Sequence, residues 1–403
     1  MIRRITNSMM TNSYLNNMQY NLNNMSLIQN QLASGKEILR TSQDPFIATR
    51  NKQLSNQLSE NEQFNANIKD TSNWCDTTDT ALSQAGNVLA RMKDLMIKAG
   101  NGAYSEDEIA TIKDEVVEKS KELSQIMNTT FDGAYIFGGT KALSRPVTVD
   151  DDGNLSYANV NGNAMPCQED GTAIVNGGKT ATGMSVESDE ATITWSDGGT
   201  PPTITTDAVA LKNASGVDRS IGDIKTDLDA LGSGLFNSYV NMKNISEPLE
   251  TEISDGVIVQ YNKTAKDIFE FEVKNSSGST KVNVMDEISS LISNLTTLSD
   301  KTATDASKTT ASDYINGSGL TNMDLIIENL LSNRAQIGTM QNRMESAMET
   351  NEDQNYNMTD ILSSSEDIDF TEKTMEYAVM QTVYTASLQT SSKVLLNTIM
   401  DYI

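Results

Sequence analysis

The chain has 403 residues, of which 37 % are hydrophobic and 5 % aromatic, a composition that suits long helices and small β-modules better than one large core. Its formal charge of −25 disfavours nucleic acids and anionic membranes as partners, because both are bound through clustered Lys and Arg. The absence of histidine removes the usual general base and a common zinc ligand, so we expect no enzymatic activity, cofactor or metal.

The first residues carry no conventional secretory signal. Arg3 and Arg4 supply positive charge, but no apolar segment follows them. No run in the sequence approaches the 18 apolar residues of a membrane span. We therefore expect a protein that stays in the cytoplasm or is exported without a cleaved signal peptide.

The first helical pattern begins near Leu15. Apolar residues then recur at alternating spacings of three and four, which describes a narrow seam for a second helix; they are Leu15, Met18, Leu22, Met25, Leu32 and Leu39. A helix with such a thin stripe is not stable alone in water. The pattern therefore predicts a segment that needs a partner helix.

The second pattern is the longest in the chain. Pro45 follows a break at residues 41–44 and suits the first position of a helix. Apolar residues then recur every seven positions, interrupted only at Asn61; they are Ile47, Leu54, Ile68, Cys75, Leu82, Leu89 and Met96. A helix over residues 47–99 would be about 80 Å long, so the sequence predicts a rod that needs another rod beside it.

A third helix is predicted after the glycine pair at residues 100–102. Ser105 and Glu108 have the spacing of a capping box. The apolar face that follows consists of Ile109, Ile112, Val116, Leu123 and Ile126. Because the connection is short, we expect this helix to fold back antiparallel on the second one.

The middle of the chain changes to strand-like alternation. The segments 147–149 and 155–157 flank an Asp-Gly turn, and 192–195 precedes another. A short helix is predicted near Ile221–Leu231. Segments 256–261 and 269–273 suggest one further strand pair.

The last third returns to helical periodicity. Met323, Leu330, Ile337, Met344 and Met358 again step by sevens, and Asn351 interrupts them. After residues 363–367, a final helix without a recognisable cap is predicted to reach the last residue. Its apolar side consists of Tyr377, Met380, Tyr384, Leu388, Leu395, Ile399 and Tyr402.

These patterns predict a mainly α protein with an inserted β-rich domain. The long stripes at the two ends have only each other to cover them, so we expect residues 47–128 to pack with 320–362, and 5–40 with 366–403. Both chain ends then form a long antiparallel helical bundle or coiled coil, from which the β-rich middle protrudes. The predicted domains are a terminal coiled-coil domain (1–42 and 363–403), a helical rod domain with a β-hairpin (43–142 and 246–362) and a variable β-rich outer domain (143–245).

The terminal helices are also the predicted interaction site, because helices that cannot bury their stripes alone are completed by neighbouring copies. Heterologous contacts between such copies generate a helical tube unless the rotation closes. The residues predicted to make these contacts are Leu15, Met18, Leu22, Met25, Leu32, Tyr377, Met380, Tyr384, Leu388, Leu395 and Ile399.

Other motifs have plainer interpretations. The segment 177–180 lacks the first glycine of a phosphate-binding loop, and 150–154 lacks the glutamate of a calcium loop, so both are interpreted as turns. Cys75 and Cys167 favour two independent thiols over a disulfide. Asn61 and Asn351 either form a buried polar pair that fixes register or each face a wetter stretch of the rods.

Several segments resemble conserved regions of the flagellin superfamily. They are Arg4-Ile-Thr-Asn-Ser-Met-Met10, Gln31-Leu-Ala-Ser-Gly-Lys36 with Ser42-Gln-Asp-Pro45, Asn342-Arg-Met344, and Ser365-Glu-Asp-Ile-Asp-Phe-Thr-Glu372. Within the superfamily, Phe131-Asp-Gly-Ala-Tyr-Ile-Phe-Gly-Gly139 and the Ser-Gly-Lys and Asp-Pro segments resemble the hook–filament junction family, the third hook-associated proteins. The resemblance covers about 1–142 and 320–403, and more weakly 250–275.

This resemblance implies an extracellular structural protein of the bacterial flagellum, located at the hook–filament junction. It would be exported unfolded through the flagellar export apparatus, with a chaperone, and polymerise as a collar between a neighbouring hook-associated junction protein and flagellin. Two alternatives remain at this point, a filament flagellin and a coiled-coil surface scaffold unrelated to flagella.

Overall fold

The computed structural model describes residues 7–102, 104–168, 170–176, 178–187, 189–197, 203–213, 216–275 and 278–394. The chain divides into two compact units. The first contains both ends, residues 1–65 and 348–403, and the second contains residues 66–347. The division into three domains predicted from the sequence stays a prediction.

The described residues form ten α-helices. They are α1 (Asn7–Ser34), α2 (Pro45–Ala99), α3 (Glu106–Met127), α4 (Ile221–Leu231), α5 (Leu235–Ser246), α6 (Ala265–Phe269), α7 (Val284–Ser299), α8 (Asp305–Tyr314), α9 (Leu320–Glu366) and α10 (Phe370–Val394). A π-helical turn, Ile315–Gly319, joins α8 to α9.

Twelve strands lie within the same described residues, all in the second unit. They are β1 (Thr130–Phe131), β2 (Ala134–Tyr135), β3 (Val147–Val149), β4 (Leu155–Tyr157), β5 (Val175–Asn176), β6 (Lys179–Val186), β7 (Glu190–Ser196), β8 (Ile204–Ala210), β9 (Glu250–Ser254), β10 (Val257–Gln260), β11 (Glu270–Asn275) and β12 (Gly278–Asn283). The mainly α fold with an inserted β-rich region is confirmed.

The first helix ends earlier than its apolar spacing predicts. Gly35 adopts φ +73° and its amide donates to the Gln31 carbonyl at 2.8 Å, which ends the helix through a left-handed residue. Leu39 therefore lies outside α1, and its assignment to the helical stripe was wrong. The chain turns away before that position can join the seam.

The long helices α2 and α9 each contribute residues to both units, and they run antiparallel to one another within each unit. In the second unit, Arg334 binds Asp79 through Nε–Oδ1 at 2.9 Å, and Gln341 Nε2 donates to Asp76 Oδ1 at 2.6 Å. In the first unit, Ser365 Oγ donates to Asn51 Oδ1 at 2.7 Å. The predicted pairing of the two rods is confirmed.

The capping box at the start of α3 is confirmed. The Ser105 amide donates to Glu108 Oε2 at 2.8 Å, and the predicted apolar face of α3 is buried. Glu115 binds Arg91 of α2 at 2.6 Å, but α3 packs mainly against α7. Helix α7 was not predicted from the sequence, although its Asn283 cap and its buried apolar stripe are helical signals.

The strands of the middle region form small antiparallel sheets. The predicted hairpin of β3 and β4 is confirmed, with Val147 opposite Tyr157. Strands β5, β6, β7 and β8 form a four-stranded sheet in that order. One face of the sheet is buried and carries Trp195, 2 % exposed.

The strand pair predicted from segments 256–261 and 269–273 was wrong. Strand β10 pairs instead with β9, and β11 pairs with β12. Each hairpin therefore uses its neighbour in sequence, because a tight turn brings adjacent strands together at the lowest loop entropy. Helix α6 separates the two hairpins.

The last helix is capped, contrary to the sequence interpretation. Asp369 Oδ1 accepts from the amides of Thr371 at 2.8 Å and Glu372 at 3.2 Å. An aspartate at this position satisfies amides that the helix leaves free and opposes the positive end of its dipole. Residues 363–366 belong to α9, and residues 395–403 lie outside the described part of the chain.

Candidate assembly surface

The terminal helices α1 and α10 pack against each other in the first unit. The Tyr14 hydroxyl of α1 donates to the Ser387 carbonyl of α10 at 2.8 Å, and the two helices run antiparallel. The inward side of α1 carries half-buried Tyr14, Met18, Met25 and Leu32 and buried Ile28. The inward side of α10 carries half-buried Tyr377, Met380 and Tyr384.

Three of the predicted contact residues lie off this seam. Leu15 is 49 %, Leu22 37 % and Leu388 41 % exposed. The half-buried residues next to Leu15 and Leu22 are Tyr14 and Asn21, and these lie on the side of α1 that faces α10. Leu395 and Ile399 lie outside the described residues. The predicted role of the whole set in contacts between copies stays a prediction.

Helix α10 carries a second apolar stripe that was not predicted from the sequence. Met375 is 62 %, Val379 62 % and Val383 44 % exposed. Their spacing of four places them along one side of the helix, separate from the seam residues. This stripe and the exposed leucines of α1 leave the helix pair with apolar surface on its outside.

The connectors next to these helices contact one another. Lys36 pairs with Asp367 as an antiparallel β-bridge. The Glu37 amide donates to the Glu366 carbonyl at 2.7 Å, and the Ile368 amide donates to the Gly35 carbonyl at 3.1 Å. We call residues 35–37 and 366–368 the connector bridge.

Ion pairs reinforce the connector bridge. Lys36 Nζ lies 3.0 Å from Asp367 and 3.4 Å from Glu366, and Lys373 Nζ lies 3.3 Å from Glu37. The hydrogen bond to Asp367 raises the pKa of Lys36. Hydrogen bonds from Ser363 and from Lys36 lower the pKa of Asp367. Both residues are therefore charged at neutral pH.

The two asparagines that interrupt the heptad stripes meet in the first unit. Asn61 is 6 % and Asn351 1 % exposed, and Asn61 Nδ2 donates to the Asn351 carbonyl at 3.3 Å. The alternative that both side chains face a wetter stretch is therefore wrong. A buried polar contact between two helices favours one register over others.

The segment Phe131–Gly139, which resembles the junction family, forms a tight corner in the second unit. Asp132 and Gly133 have φ +49° and +78° between the paired strands β1 and β2, as a two-residue hairpin turn requires. Gly139 has φ +57°, and a Cβ there would lie 2.4 Å from the Asn244 carbonyl oxygen. Only glycine fits this close approach to the end of α5.

Lys141 fixes the chain just after this corner. Its amino group is buried and donates to the carbonyls of Asn159 at 3.0 Å and Arg145 at 3.2 Å, and also to that of Ala158. Burial lowers the pKa of Lys141 to about 8, so at pH 7 the amine keeps its proton and donates all three bonds. The hydrogen bonds from Lys141 therefore tie the chain after the corner to the segment that follows β4.

The described residues contain no group of three or more His, Cys, Asp or Glu side chains placed to hold a metal ion. None of the helices in the described part of the chain is both long and apolar enough to cross a membrane. The features that stand out are the exposed stripes and connectors of the terminal helices.

Two family models match the two ends of the chain. The bacterial flagellin N-terminal helical region matches residues 5–142, and the bacterial flagellin C-terminal helical region matches residues 320–401. Together they cover more than half of the 403 residues. The matched segments include α1, α2 and α3 at one end and α9 and α10 at the other, and they agree with the resemblance found in the sequence.

Individual relatives are similar over part of the chain. A flagellin of Clostridium tyrobutyricum is 29 % identical over 138 residues, which cover 34 % of this chain and 37 % of that protein. The flagellar hook-associated protein 3 of Escherichia coli K12 is 26 % identical over 117 residues, covering 29 % of this chain and 37 % of that protein. The alignments thus span little more than a third of either relative.

Among solved structures, flagellar hook-associated protein 3 from Legionella pneumophila is 18 % identical, with a TM-score of 0.43. The alignment covers 78 % of this chain and 98 % of that one. The TM-score is too low to establish a common overall fold.

Proposed function

We propose that this chain, which belongs to the flagellin family, is a structural subunit of the bacterial flagellum that polymerises at the junction between hook and filament. The observation that carries the proposal is the packed pair of terminal helices, which leaves apolar side chains exposed on its outer sides. Met375 and Val379 of α10 are each 62 % exposed, and Leu15 of α1 is 49 % exposed.

Polymerisation follows from the chemistry of this surface. Contiguous exposed apolar side chains are unfavourable in water and mark sites of protein association. A copy that offers one face of the helix pair to a different face of its neighbour makes a heterologous contact, and repetition of that contact builds a ring or a tube. The first partner is therefore another copy of the same chain.

The junction is favoured over the filament by the corner segment Phe131–Gly139. The sequence of this segment resembles the junction family's signature, and the Escherichia coli relative carries the name of a hook-associated protein. In that position the chain contacts a neighbouring hook-associated junction protein on one side and flagellin on the other. It reaches this extracellular site through the flagellar export apparatus, with a chaperone and without a cleaved signal peptide.

Filament flagellin is the second candidate. It is favoured by the Clostridium tyrobutyricum relative, which is named flagellin and shares more aligned residues with this chain than the hook-associated relative does. In both roles the protein is structural and performs no catalysis.

Quantitative mass spectrometry of purified flagella separates the two candidates. A junction subunit occupies one short zone, so the proposal predicts this chain as a minor component, far below the main filament protein in copy number. If the chain is instead the most abundant protein of the filament, it is a flagellin. Its absence from flagella would contradict both roles.

A further inference from the structure

The helix that runs from α8 into α9 contains one turn of a different kind. Helix α8 ends at Tyr314, the π-helical turn spans Ile315–Gly319, and α9 begins at Leu320. The backbone thus passes through all three without leaving the helix. A π-helical turn closes its hydrogen bonds over one more residue than an α-helical turn does, and such turns are rare. The turn therefore needs a cause in its surroundings.

One carboxylate contacts both ends of the turn. Glu287, in the first turn of α7, accepts a hydrogen bond from the Tyr314 hydroxyl at 2.6 Å and, at its other oxygen, one from Asn322 Nδ2 at 2.7 Å. We call Glu287, Tyr314 and Asn322 the Glu287 clamp. In an uninterrupted α-helix, eight residues rotate through about 800°, which would point these two donors about 80° apart. The π-helical turn takes up the extra residue and brings both donors to the same carboxylate.

The buried positions of this stretch also require a wider turn. Ala311, Ile315, Gly319 and Met323 are all buried, and they follow one another at steps of four. In an α-helix each step of four advances about 40° beyond a full turn, so three steps would carry Met323 about 120° away from Ala311. The π-helical turn reduces this drift, and all four positions stay on the buried side.

Helices α8 and α9 are held to the rest of the second unit very unequally. Helix α8 lies against α7, and Ala311 is its only buried residue. Helix α9 buries Met323 and Ile337. It also binds α2 through two hydrogen bonds from Arg334 to Asp79. A change in the turn would therefore move α8 and leave α9 in place.

We propose that α8 is a detachable strap and that the Glu287 clamp is the device that holds it on α7. With both hydrogen bonds formed, the turn stays π-helical and Ala311 stays in the core. Without them the turn relaxes to α-helical geometry, which rotates α8 by about 100° relative to α9 and turns Ala311 out of the core. An ion pair between Lys308 and Glu106 also links α8 to α3, but both side chains are partly exposed, and such pairs contribute little.

The inference concerns one unit of one chain and does not rest on the junction role. Amide hydrogen exchange of the full-length chain tests it, because the strap and α9 are read separately. Glu287→Ala removes both acceptors of the clamp. Exchange over residues 305–319 is expected to rise at least about tenfold, since hydrogen bonds to a charged group are strong, while residues 325–347 keep their protection.

Two further variants calibrate this result. Tyr314→Phe removes one of the two hydrogen bonds of the clamp and keeps the ring, so it should give a smaller rise over the same residues 305–319. Glu328→Ala removes an exposed carboxylate from α9 and should leave the exchange of both segments unchanged.

Deletion of Gly317 separates the phase of the helix from the loss of hydrogen bonds. Gly317 is exposed, and a Cβ added there would meet nothing within 4 Å. After the deletion, a continuous α-helix places Tyr314 and Asn322 seven positions apart and within about 20° of each other, so the clamp is no longer needed to set the phase. Deletion of Gly317 combined with Glu287→Ala should therefore recover most of the protection of residues 305–319.

The proposal is overturned if Glu287→Ala leaves residues 305–319 protected or raises exchange equally along α9. It is also overturned if the deletion of Gly317 recovers no protection in the Glu287→Ala chain. Loss of protection in α9 after the deletion alone would contradict it as well, because the turn would then hold more than one surplus residue.

Discussion

At the scale of single residues, two glycines of the corner after α3 show why this fold requires glycine at particular positions. Gly133 and Gly139 both have positive φ values, but they are required for different reasons. A Cβ at Gly133 would meet nothing within 4 Å, whereas one at Gly139 would lie 2.4, 2.7 and 2.8 Å from three carbonyl oxygens at the end of α5. Gly133 is therefore required by backbone conformation alone, and Gly139 also by the space available.

Gly139→Ala should destabilise the second unit by about 3 kcal/mol, because a left-handed alanine costs about 1–2 kcal/mol and overpacking adds a similar amount. The control is Gly256→Ala, where φ is +70° and no atom lies within 4 Å of the added Cβ, so only the conformational cost of about 1–2 kcal/mol applies. Urea unfolding followed by tryptophan fluorescence reports this unit, since Trp74 and Trp195 both belong to it. Equal decreases in the free energy of unfolding for the two variants would show that the close approach of Gly139 to α5 does not affect stability.

At the scale of elements, the terminal helices divide their apolar side chains between two directions. Met18 and Met25 of α1 are half-buried against α10, whereas Leu15 and Leu22 are exposed. Met375, Val379 and Val383 are likewise exposed on α10. One set of side chains lies between the two helices of a chain, and the other set is exposed, where we propose that it contacts a neighbouring copy.

Leu15→Ser with Leu22→Ser should leave α1 protected from amide exchange in the monomer and prevent incorporation into flagella. Met18→Ser with Met25→Ser should instead raise amide exchange along α1 of the monomer, because each of these half-buried side chains contributes part of the about 1.5–3 kcal/mol that full burial supplies. Incorporation is measured by mass spectrometry of flagella from cells that carry each variant as their only copy. Normal incorporation of the double leucine variant would show that this side of α1 is not an assembly surface.

The same helices show what the sequence could and could not predict. Heptad spacing correctly identified α2 and α9 and their pairing, because a strong periodic stripe has few other ways to be buried. On α1, the positions 14, 18, 21, 25 and the positions 15, 18, 22, 25 both fit a helical face. The second set was predicted to face α10 because Leu15 and Leu22 make it more apolar. In the structure, Tyr14 and Asn21 of the first set are half-buried, and the two leucines are exposed.

Helix α7 was missed for a different reason. It follows strand β12 directly. No glycine or proline separates the two elements, so the sequence gives no sign of where the strand ends and the helical periodicity begins. The stripe of α10 at Met375, Val379 and Val383 was also visible in the sequence as a spacing of four. It was not predicted because the larger side chains Tyr377, Met380 and Tyr384 form a more apolar line along the same helix, and that line was assigned to the contact with α1.

At the scale of the whole molecule, the described structure consists of two units with different chemistry. The first is built from both chain ends and carries the exposed apolar stripes and the connector bridge. The second contains the β-rich region and most of the buried core. The exposed apolar stripes of the first unit lie within the segments that match the family models, and most of the β-rich region lies outside those segments.

The most direct test of the proposed role is immunogold electron microscopy of isolated flagella, with an antibody against residues 150–240. These residues lie outside both segments matched by the family models. The antibody therefore does not recognise the helical regions that related flagellar proteins share with this chain. The account predicts label in a single band where the hook meets the filament. Label along the whole filament would contradict the junction role and identify a flagellin, and flagella without label would contradict any place for this chain in the assembled structure.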